Sequence, residues 1–318
     1  MSDVLYIVVP CYNEEEVLPI TADRLSQKLK GLIADGRVSD KSRILFVNDG
    51  SRDNTWDIIC KLHKEDAIFS GVKLSRNRGH QNALLAGLMT AKEKADVTIS
   101  MDADLQDDIN AVDEMLDKYY DGCDIVYGVR SARKRDTFFK RFTAELFYKF
   151  MRFMGAETVF NHADYRLMSK RALYDLSQYR EVNLFLRGIV PMIGYKTAKV
   201  YYARDERVAG ESKYPLKKMI AFALEGITSL SSKPIRYVTL CGFTVSLISV
   251  IMIIYFIVRW ATSATVAGWA SVVCSVWFIG GLTMLCIGVV GEYIGKIYIE
   301  TKQRPTYIIE TVLDDEDE

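Results

Sequence analysis

Two long stretches without an acidic or basic residue occupy the C-terminal third of the chain. Tyr237 to Val258 lies between Arg236 and Arg259, and after Arg259 the next charged residue is Glu292. At about 1.5 Å of rise per residue, each stretch is long enough as a helix to cross a hydrocarbon core of about 30 Å. A buried helix of a soluble domain has a similar composition, but two such runs separated by one arginine favour a pair of membrane spans, about 237–258 and 269–291, within a segment 233–299. The connection, Arg259 to Gly268, holds Trp260, Thr262, Ser263 and Thr265 and is short enough for a helical hairpin. Lys233 and Arg236 precede it and Lys296, Lys302 and Arg304 follow it. The positive-inside rule therefore expects both ends of the hairpin, and with them both termini, in the cytosol. Met1 to Val9 has no basic n-region and its apolar run stops at Pro10, so no secretory signal is expected.

The spans account for a mean hydropathy of +0.03 in a chain with 26% charged residues. Its 41 basic and 41 acidic side chains cancel, which excludes a globally basic nucleic-acid binder. The six cysteines form no CxxC pair and no Cys/His cluster at zinc spacing, and His63, His80 and His162 are too few and too scattered for a metal site. Free thiols are the expected state.

Ahead of the spans the chain alternates short β-branched runs with helical patterns. Strands are expected at Val4 to Pro10, Arg43 to Asn48, Ser70 to Leu74, Val97 to Met101 and Ile125 to Val129. Helices are expected at Asn13 to Leu32, Asn54 to Lys64, Gln81 to Lys94 and Ile109 to Tyr120. Such alternation means an α/β fold, a mostly parallel sheet covered on both faces. Ligands bind beyond the carboxyl ends of such strands, so chemistry is expected in the loops that follow them.

Met101-Asp-Ala-Asp-Leu-Gln-Asp-Asp108 follows one of these strands. Asp102 and Asp104, with Gln106, supply hard oxygen ligands suited to Mg²⁺ or Mn²⁺ and leave room for phosphate oxygens. The competing reading is an acidic turn capping the helix from Ile109, which Asp107 or Asp108 would satisfy alone. In Val47-Asn-Asp-Gly-Ser51, Asp49 ends a strand and suits acceptance of hydrogen bonds from a base or ribose, while an N-cap cluster for the helix from Asn54 explains it equally well. Arg130, Arg133, Lys134, Arg135, Lys140 and Arg141 meet only one acid, Asp136, directly after a strand. A solvated loop has this composition, but the position favours an anionic acceptor or membrane headgroups. Aromatic and basic residues then interleave at helical spacing from Phe138 to Met154, and a second amphipathic stretch runs from Tyr214 to Ser232. Both are expected to lie in the headgroup layer.

Taken together, Val8-Val-Pro-Cys-Tyr-Asn-Glu-Glu15, Val47-Asn-Asp-Gly-Ser51, Arg76-Asn-Arg-Gly-His-Gln81 and Asp102-Ala-Asp-Leu-Gln106 resemble the motif series of family 2 glycosyltransferases. The whole chain, spans included, is similar to the bacterial polyisoprenyl-phosphate glycosyltransferases of the GtrB type and to dolichyl-phosphate mannose synthases. The resemblance implies a Rossmann-like GT-A domain at 1–213, a juxtamembrane helix at 214–232, the hairpin at 233–299 and an acidic tail at 300–318. It implies a nucleotide-sugar site made of Pro10, Tyr12, Asn13, Glu14, Asp49, Asn77, Gly79, Gln81, Asp102 and Ala103, with Asp102, Asp104 and Gln106 ligating the metal on the diphosphate. Asn161-His-Ala-Asp-Tyr-Arg166 matches the segment whose aspartate lies near the acceptor phosphate, which makes Asp164 and Arg166 the catalytic candidates. Gly210-Glu-Ser-Lys-Tyr214 matches the element that closes over the site. Arg130, Arg133, Arg135, Arg207, Ser212 and Lys213 are the candidate acceptor-phosphate ligands. Arg78 and Asn82 depart from the pattern.

The implied reaction is inverting transfer of a sugar, with UDP-glucose the first choice, to a polyprenyl phosphate such as undecaprenyl phosphate, for cell-envelope glycosylation. The implied setting is the bacterial inner membrane, with the catalytic part cytosolic. Two rivals are a processive polysaccharide synthase, whose Gln-x-x-Arg-Trp motif is absent from this sequence, and a non-catalytic membrane-anchored nucleotide-binding protein. Gly280, Gly281, Gly288, Gly291 and Gly295 would permit close helix packing in a homo-oligomer.

Overall fold

The computed structural model describes residues 2–131, 153–154, 162–182, 184–203, 227–228, 231–261 and 268–313. The described parts of 1–148, 158–215 and 304–318 form one compact unit, and those of 149–157 and 216–303 another.

The first unit is built on an eight-stranded mixed sheet. Its N-terminal half follows the alternation expected from hydrophobic periodicity: β1 Leu5–Cys11, α1 Leu18–Ala34, β2 Arg43–Asn48, α2 Thr55–Glu65, β3 Phe69–Leu74, α3 His80–Ala91, β4 Val97–Ser100, α4 Ala111–Tyr120 and β5 Ile125–Arg130. Then come β6 His162–Ser169, α5 Lys170–Leu176, α6 Leu186–Met192, β7 Thr197–Tyr202 and, far along the chain, β8 Ile309–Leu313. The strand order is β7-β5-β6-β4-β1-β2-β3-β8. Alternate residues of β1 explain why both faces are covered. Leu5, Ile7, Val9 and Cys11 join one core with Leu18, Leu25 and Leu29 of α1 and Val112, Met115 and Leu116 of α4. Tyr6 and Val8 join the other with Ala83, Leu84 and Leu88 of α3 and Leu173 and Leu176 of α5.

Three strands lie outside the expected alternation. β6 inserts between β4 and β5, antiparallel to both, so His162 to Arg166 of the segment expected near an acceptor belong to an inner strand of the sheet. β7 runs parallel to β5 at one edge. At the other edge the segment expected as an acidic tail contains β8, antiparallel to β3, with Lys73 Nζ 2.8 Å from Glu310 Oε1. The five residues Ile-Glu-Thr-Val-Leu favour a strand, and pairing removes an exposed edge from β3. Asp314 to Glu318 lie outside the described residues.

In the second unit the apolar runs form α7 Lys233–Ala261 and α8 Trp269–Thr301. Both are long and apolar enough to cross a membrane by length and composition, and they expose Phe243, Ile251, Ile254, Phe278 and Leu285. α8 continues past the uncharged run through Glu292, Lys296 and Glu300. The start of α7 is tied down by Lys233 Nζ donating to the Phe153 carbonyl at 3.1 Å and by Tyr237 stacking on Phe153 at 5.5 Å. The amphipathic stretches expected around 138–154 and 214–232 fall mostly outside the described residues.

Helix α3 lies so close to the sheet that a Cβ on Gly87 would stand 2.5 Å from Val8 Cγ1 and 2.6 Å from Val47 Cγ2. Gly87→Val is therefore expected to destabilise the protein by about 1–3 kcal/mol through overpacking. Thermal unfolding of the detergent-solubilised full chain checks this, and an unchanged midpoint would show that α3 lifts freely.

Candidate active site

The order β3-β2-β1-β4 changes direction between β1 and β4, the switch point at which an α/β sheet opens a crevice at its carboxyl edge. The loops after β1, β2, β3 and β4 all carry motif residues, and the structure stitches these loops together. Asn13 takes a left-handed conformation with φ of 54°, which Asn tolerates better than most residues. Its N–H donates to Ser51 Oγ at 3.0 Å and its Oδ1 accepts from the Arg52 N–H at 2.9 Å. The Glu14 N–H donates to Thr55 Oγ1 at 2.9 Å. Beside these contacts is an open cavity of ≈ 480 Å³ lined by Asn13, Glu14, Glu15, Glu16, Val17, Arg52 and Asp53. Tyr12 is exposed beside Asn13, while Pro10 is buried within β1.

Asp49 is not a helix cap. Its Oδ1 and Oδ2 accept the Arg78 and Gly79 N–H groups at 2.7 and 2.9 Å, and the turn before α2 is closed instead by Asp53, whose Oδ1 accepts from the Thr55 N–H at 3.1 Å. Burial raises the pKa of Asp49, against the opposing effect of those two N–H groups. The side chain thus fixes the loop that carries Asn77 and Gly79. Gly50 belongs to the same arrangement: its φ is +63°, and a Cβ there would lie 2.5 Å from the Arg76 carbonyl carbon.

The Asp102–Gln106 loop is held from below by Thr21 Oγ1, which donates to the Ala103 carbonyl at 2.7 Å. Leu105 is buried at φ of 55°, a costly conformation for a leucine, so the fold is imposing the shape of this loop. Asp104 Oδ1 accepts the Gln106 N–H at 3.2 Å. Asn110 is the N-cap of α4 and makes no side-chain bond, while Asp108 Oδ1 accepts the Asn110 N–H at 2.9 Å and so closes the turn before the helix. Asp107 is buried against Arg130, 3.2 Å from its Nη2, and accepts from the Tyr202 hydroxyl. The described residues bring no group of three Asp, Glu, His or Cys together as a metal cage. Two carboxylates on one loop fit an ion that takes further ligands from a diphosphate.

Asp164 lies at the centre of a second cluster. Its Oδ1 accepts from Arg166 Nη2 at 2.9 Å and from Arg187 Nε at 3.1 Å, and its Oδ2 accepts from Arg187 Nη2 at 3.0 Å. Burial pushes its pKa up, but the charges of Arg187 and Arg166 outweigh burial and hold the carboxyl well below the usual carboxylate range. Arg166 is 1% exposed and its Nη1 donates to the Leu186 carbonyl at 3.3 Å. Arg166, expected as a catalytic residue, thus has its guanidinium sealed within the sheet against Asp164 and the Leu186 carbonyl. Ser100 Oγ donates to the Asp164 carbonyl and so locks β4 to β6.

His80 joins the two clusters, with Nε2 3.0 Å from Asp102 Oδ1 and Nδ1 3.9 Å from Asp164 Oδ2. Burial lowers its pKa, but the hydrogen bond to Asp102 and the charges of Asp102 and Asp164 raise it overall. Asp102 is correspondingly lowered by His80 in spite of burial. Gln81, expected at the nucleotide sugar, accepts the Leu186 N–H at 2.8 Å and thereby docks the start of α6. Arg130, expected to clamp a phosphate, is paired with Asp107 and lies 3.9 Å from Asp102 Oδ2. Arg133, Arg135, Arg207, Ser212 and Lys213 lie outside the described residues. Arg187, His80 and Thr21 received no role from the sequence, and Asp107 only that of a possible helix cap. His80 had a signal in its place within the Arg76–Gln81 motif, and Arg187 had one as a lone cation in the apolar segment Leu184 to Ile189.

The family model for glycosyl transferase family 2 matches residues 6–177. The glycosyltransferase YkoT of Bacillus subtilis (strain 168) is 52% identical over 96% of this chain and 91% of its own length. A prophage bactoprenol glucosyl transferase homolog of Escherichia coli (strain K12) is 40% identical over 96% of this chain and 98% of its own. The bactoprenol glucosyl transferase of Shigella phage SfV is 40% identical over 95% and 97%. The family match spans the four loops that build the site, and the chain belongs to glycosyl transferase family 2.

Proposed function

We propose that this chain transfers glucose from UDP-glucose to a polyprenyl phosphate, undecaprenyl phosphate in a bacterium, at the cytosolic face of the membrane. The observation that carries this reading is likeness at 40% identity to bactoprenol glucosyl transferases over nearly the full chain, the two apolar helices included. A lipid acceptor requires an enzyme held at a bilayer, and α7 and α8 supply apolar length for that. Their flanking lysines and arginines favour cytosolic ends.

The reaction is a displacement at the anomeric carbon. A phosphate oxygen of the acceptor forms the new C–O bond, the bond to the nucleoside diphosphate breaks, and the configuration inverts. A phosphate monoester loses its second proton near pH 6, so the nucleophile is largely dianionic at neutral pH and needs no general base. Asp164 suits a different task. Its carboxylate is committed to two guanidiniums, which keep it ionised and make it a poor proton acceptor. It holds charge and position at the site. Asp102 and Asp104 would hold Mg²⁺ or Mn²⁺, which offsets charge on the departing diphosphate.

Membranes carrying the chain, incubated with undecaprenyl phosphate and labelled UDP-glucose, UDP-N-acetylglucosamine or GDP-mannose, are expected to label extractable lipid from UDP-glucose. EDTA and Asp104→Ala are each expected to reduce labelling by at least about 10²-fold. Labelling that survives both would overturn the metal assignment, and no labelled lipid from any donor would overturn the function.

Asp164→Asn leaves Arg166 buried without a counter-charge and is expected to cost about 3–5 kcal/mol of stability at neutral pH. Because the folded carboxyl is depressed, its contribution is complete above the unfolded value of about 3.9 and fades as pH falls toward the folded one. Denaturant unfolding of both proteins should therefore show a gap that narrows below about pH 4. A constant gap would deny the ion pair its role.

A further inference from the structure

We infer that Arg187 is a phosphate-binding residue of the transfer reaction, presented by Asp164 as by a platform. The inference rests on the proposed sugar transfer to a polyprenyl phosphate and names a further residue for it.

Two guanidiniums share the Asp164 carboxylate, and they differ in burial. Asp164 balances one guanidinium, and Arg166, 1% exposed, is the one that burial forces it to balance. Arg187 adds a second guanidinium to the same carboxylate, 3.0 Å from Asp164 Oδ2. Arg187 is the accessible member of the cluster, its side chain 32% exposed while that of Asp164 is 11% exposed. Phe185, Leu186, Gly188 and Ile189 around it are buried, so Arg187 is the polar residue this turn delivers outward.

The delivery is specific in direction. Gln81 at the start of α3 accepts the Leu186 N–H, so the first turn of α6 is pinned to the same edge that carries His80 and Asp102. Asp164 grips Arg187 through Nε and Nη2, which fixes the plane of the guanidinium before any ligand arrives. His80 touches Asp102 on one side and approaches Asp164 on the other, making Arg187, Asp164, His80 and Asp102 a continuous chain of charged groups. A planar guanidinium fixed in this way suits phosphate oxygens, which it binds in a forked geometry that lysine does not reproduce. Two phosphates enter the reaction, the diphosphate of the donor and the monoester of the acceptor, and both present the same chemistry.

The test compares wild type, Arg187→Ala and Arg187→Lys in native membranes, with KM for UDP-glucose, KM for undecaprenyl phosphate and inhibition by UDP measured for each. Arg166 keeps Asp164 as its partner in both variants, so thermal midpoints should stay within about 4 °C, the shift for roughly 1 kcal/mol. If Arg187 meets the acceptor, Arg187→Ala raises KM for undecaprenyl phosphate about 10- to 100-fold and leaves UDP inhibition unchanged. If it meets the diphosphate, UDP inhibition weakens by the same factor and acceptor KM stays. Lysine should restore part of either loss. Constants within twofold of wild type for both ligands would overturn the inference, as would a fall in kcat and midpoint alone. Wild-type membranes that transfer no sugar would overturn the function itself. Equilibrium binding of UDP and of undecaprenyl phosphate to the same proteins would then decide Arg187 separately, with equal affinities counting against it.

Discussion

A buried carboxylate shared by two arginines is the constraint around which this site is arranged. Asp164 sits on a strand that runs against both of its neighbours, and its backbone is held by Ser100 of β4. Sealing Arg166 inside the sheet would be costly without a charge beside it. Once Asp164 is there, its second oxygen can hold an arginine from α6, and His80 from α3 comes to rest between it and Asp102. Three elements distant in sequence are thereby fixed at one edge. The same arrangement holds the Asp164 carboxyl well below the usual carboxylate range.

Much of the fold was legible because alternation and period carry direct physical information. Each of the five strands and four helices expected up to Val129 is present, with ends shifted by a few residues. What stayed hidden depends on pairing across the sheet. β6 has Tyr165 and Leu167 buried in one core and Met168 in the other, a pattern that its polar residues His162, Asp164 and Arg166 mask in sequence. β8 was hidden by the acids that follow it. At the site, residue types announced chemistry but not partners. Asp49 was readable as a polar group at a strand end, yet only the structure shows it holding the Arg78–Gly79 backbone. Arg130 was readable as a cation after a strand, and only the fold brings Asp107 against it.

Charge is distributed as local opposition in a chain whose total is zero. Asp102 has His80 at one oxygen and Arg130 near the other, Asp107 has Arg130 and the Tyr202 hydroxyl, and Asp164 has its two arginines. Asp102, Asp107 and Asp164 are therefore each kept in place by a side chain from a different element. Such cross-element pairs cost desolvation, but they orient groups more narrowly than apolar packing does, because the hydrogen-bond geometry has few solutions.

The return of the chain to the sheet adds a constraint of another kind. Strand β8 follows α7 and α8 in sequence but completes the edge of a sheet whose other strands all precede them. A chain that leaves a compact unit, crosses a membrane and rejoins the same unit must cross an even number of times. Two apolar helices satisfy that condition and one would not. The pairing of β3 with β8 is thus compatible with two crossings and not with one. It also makes the last step of sheet assembly a contact of long sequence separation, of the kind that forms slowly because a large loop must close first. Until that contact forms, β3 presents an open edge. The edge of the sheet therefore closes only with residues that lie beyond both apolar helices in the chain.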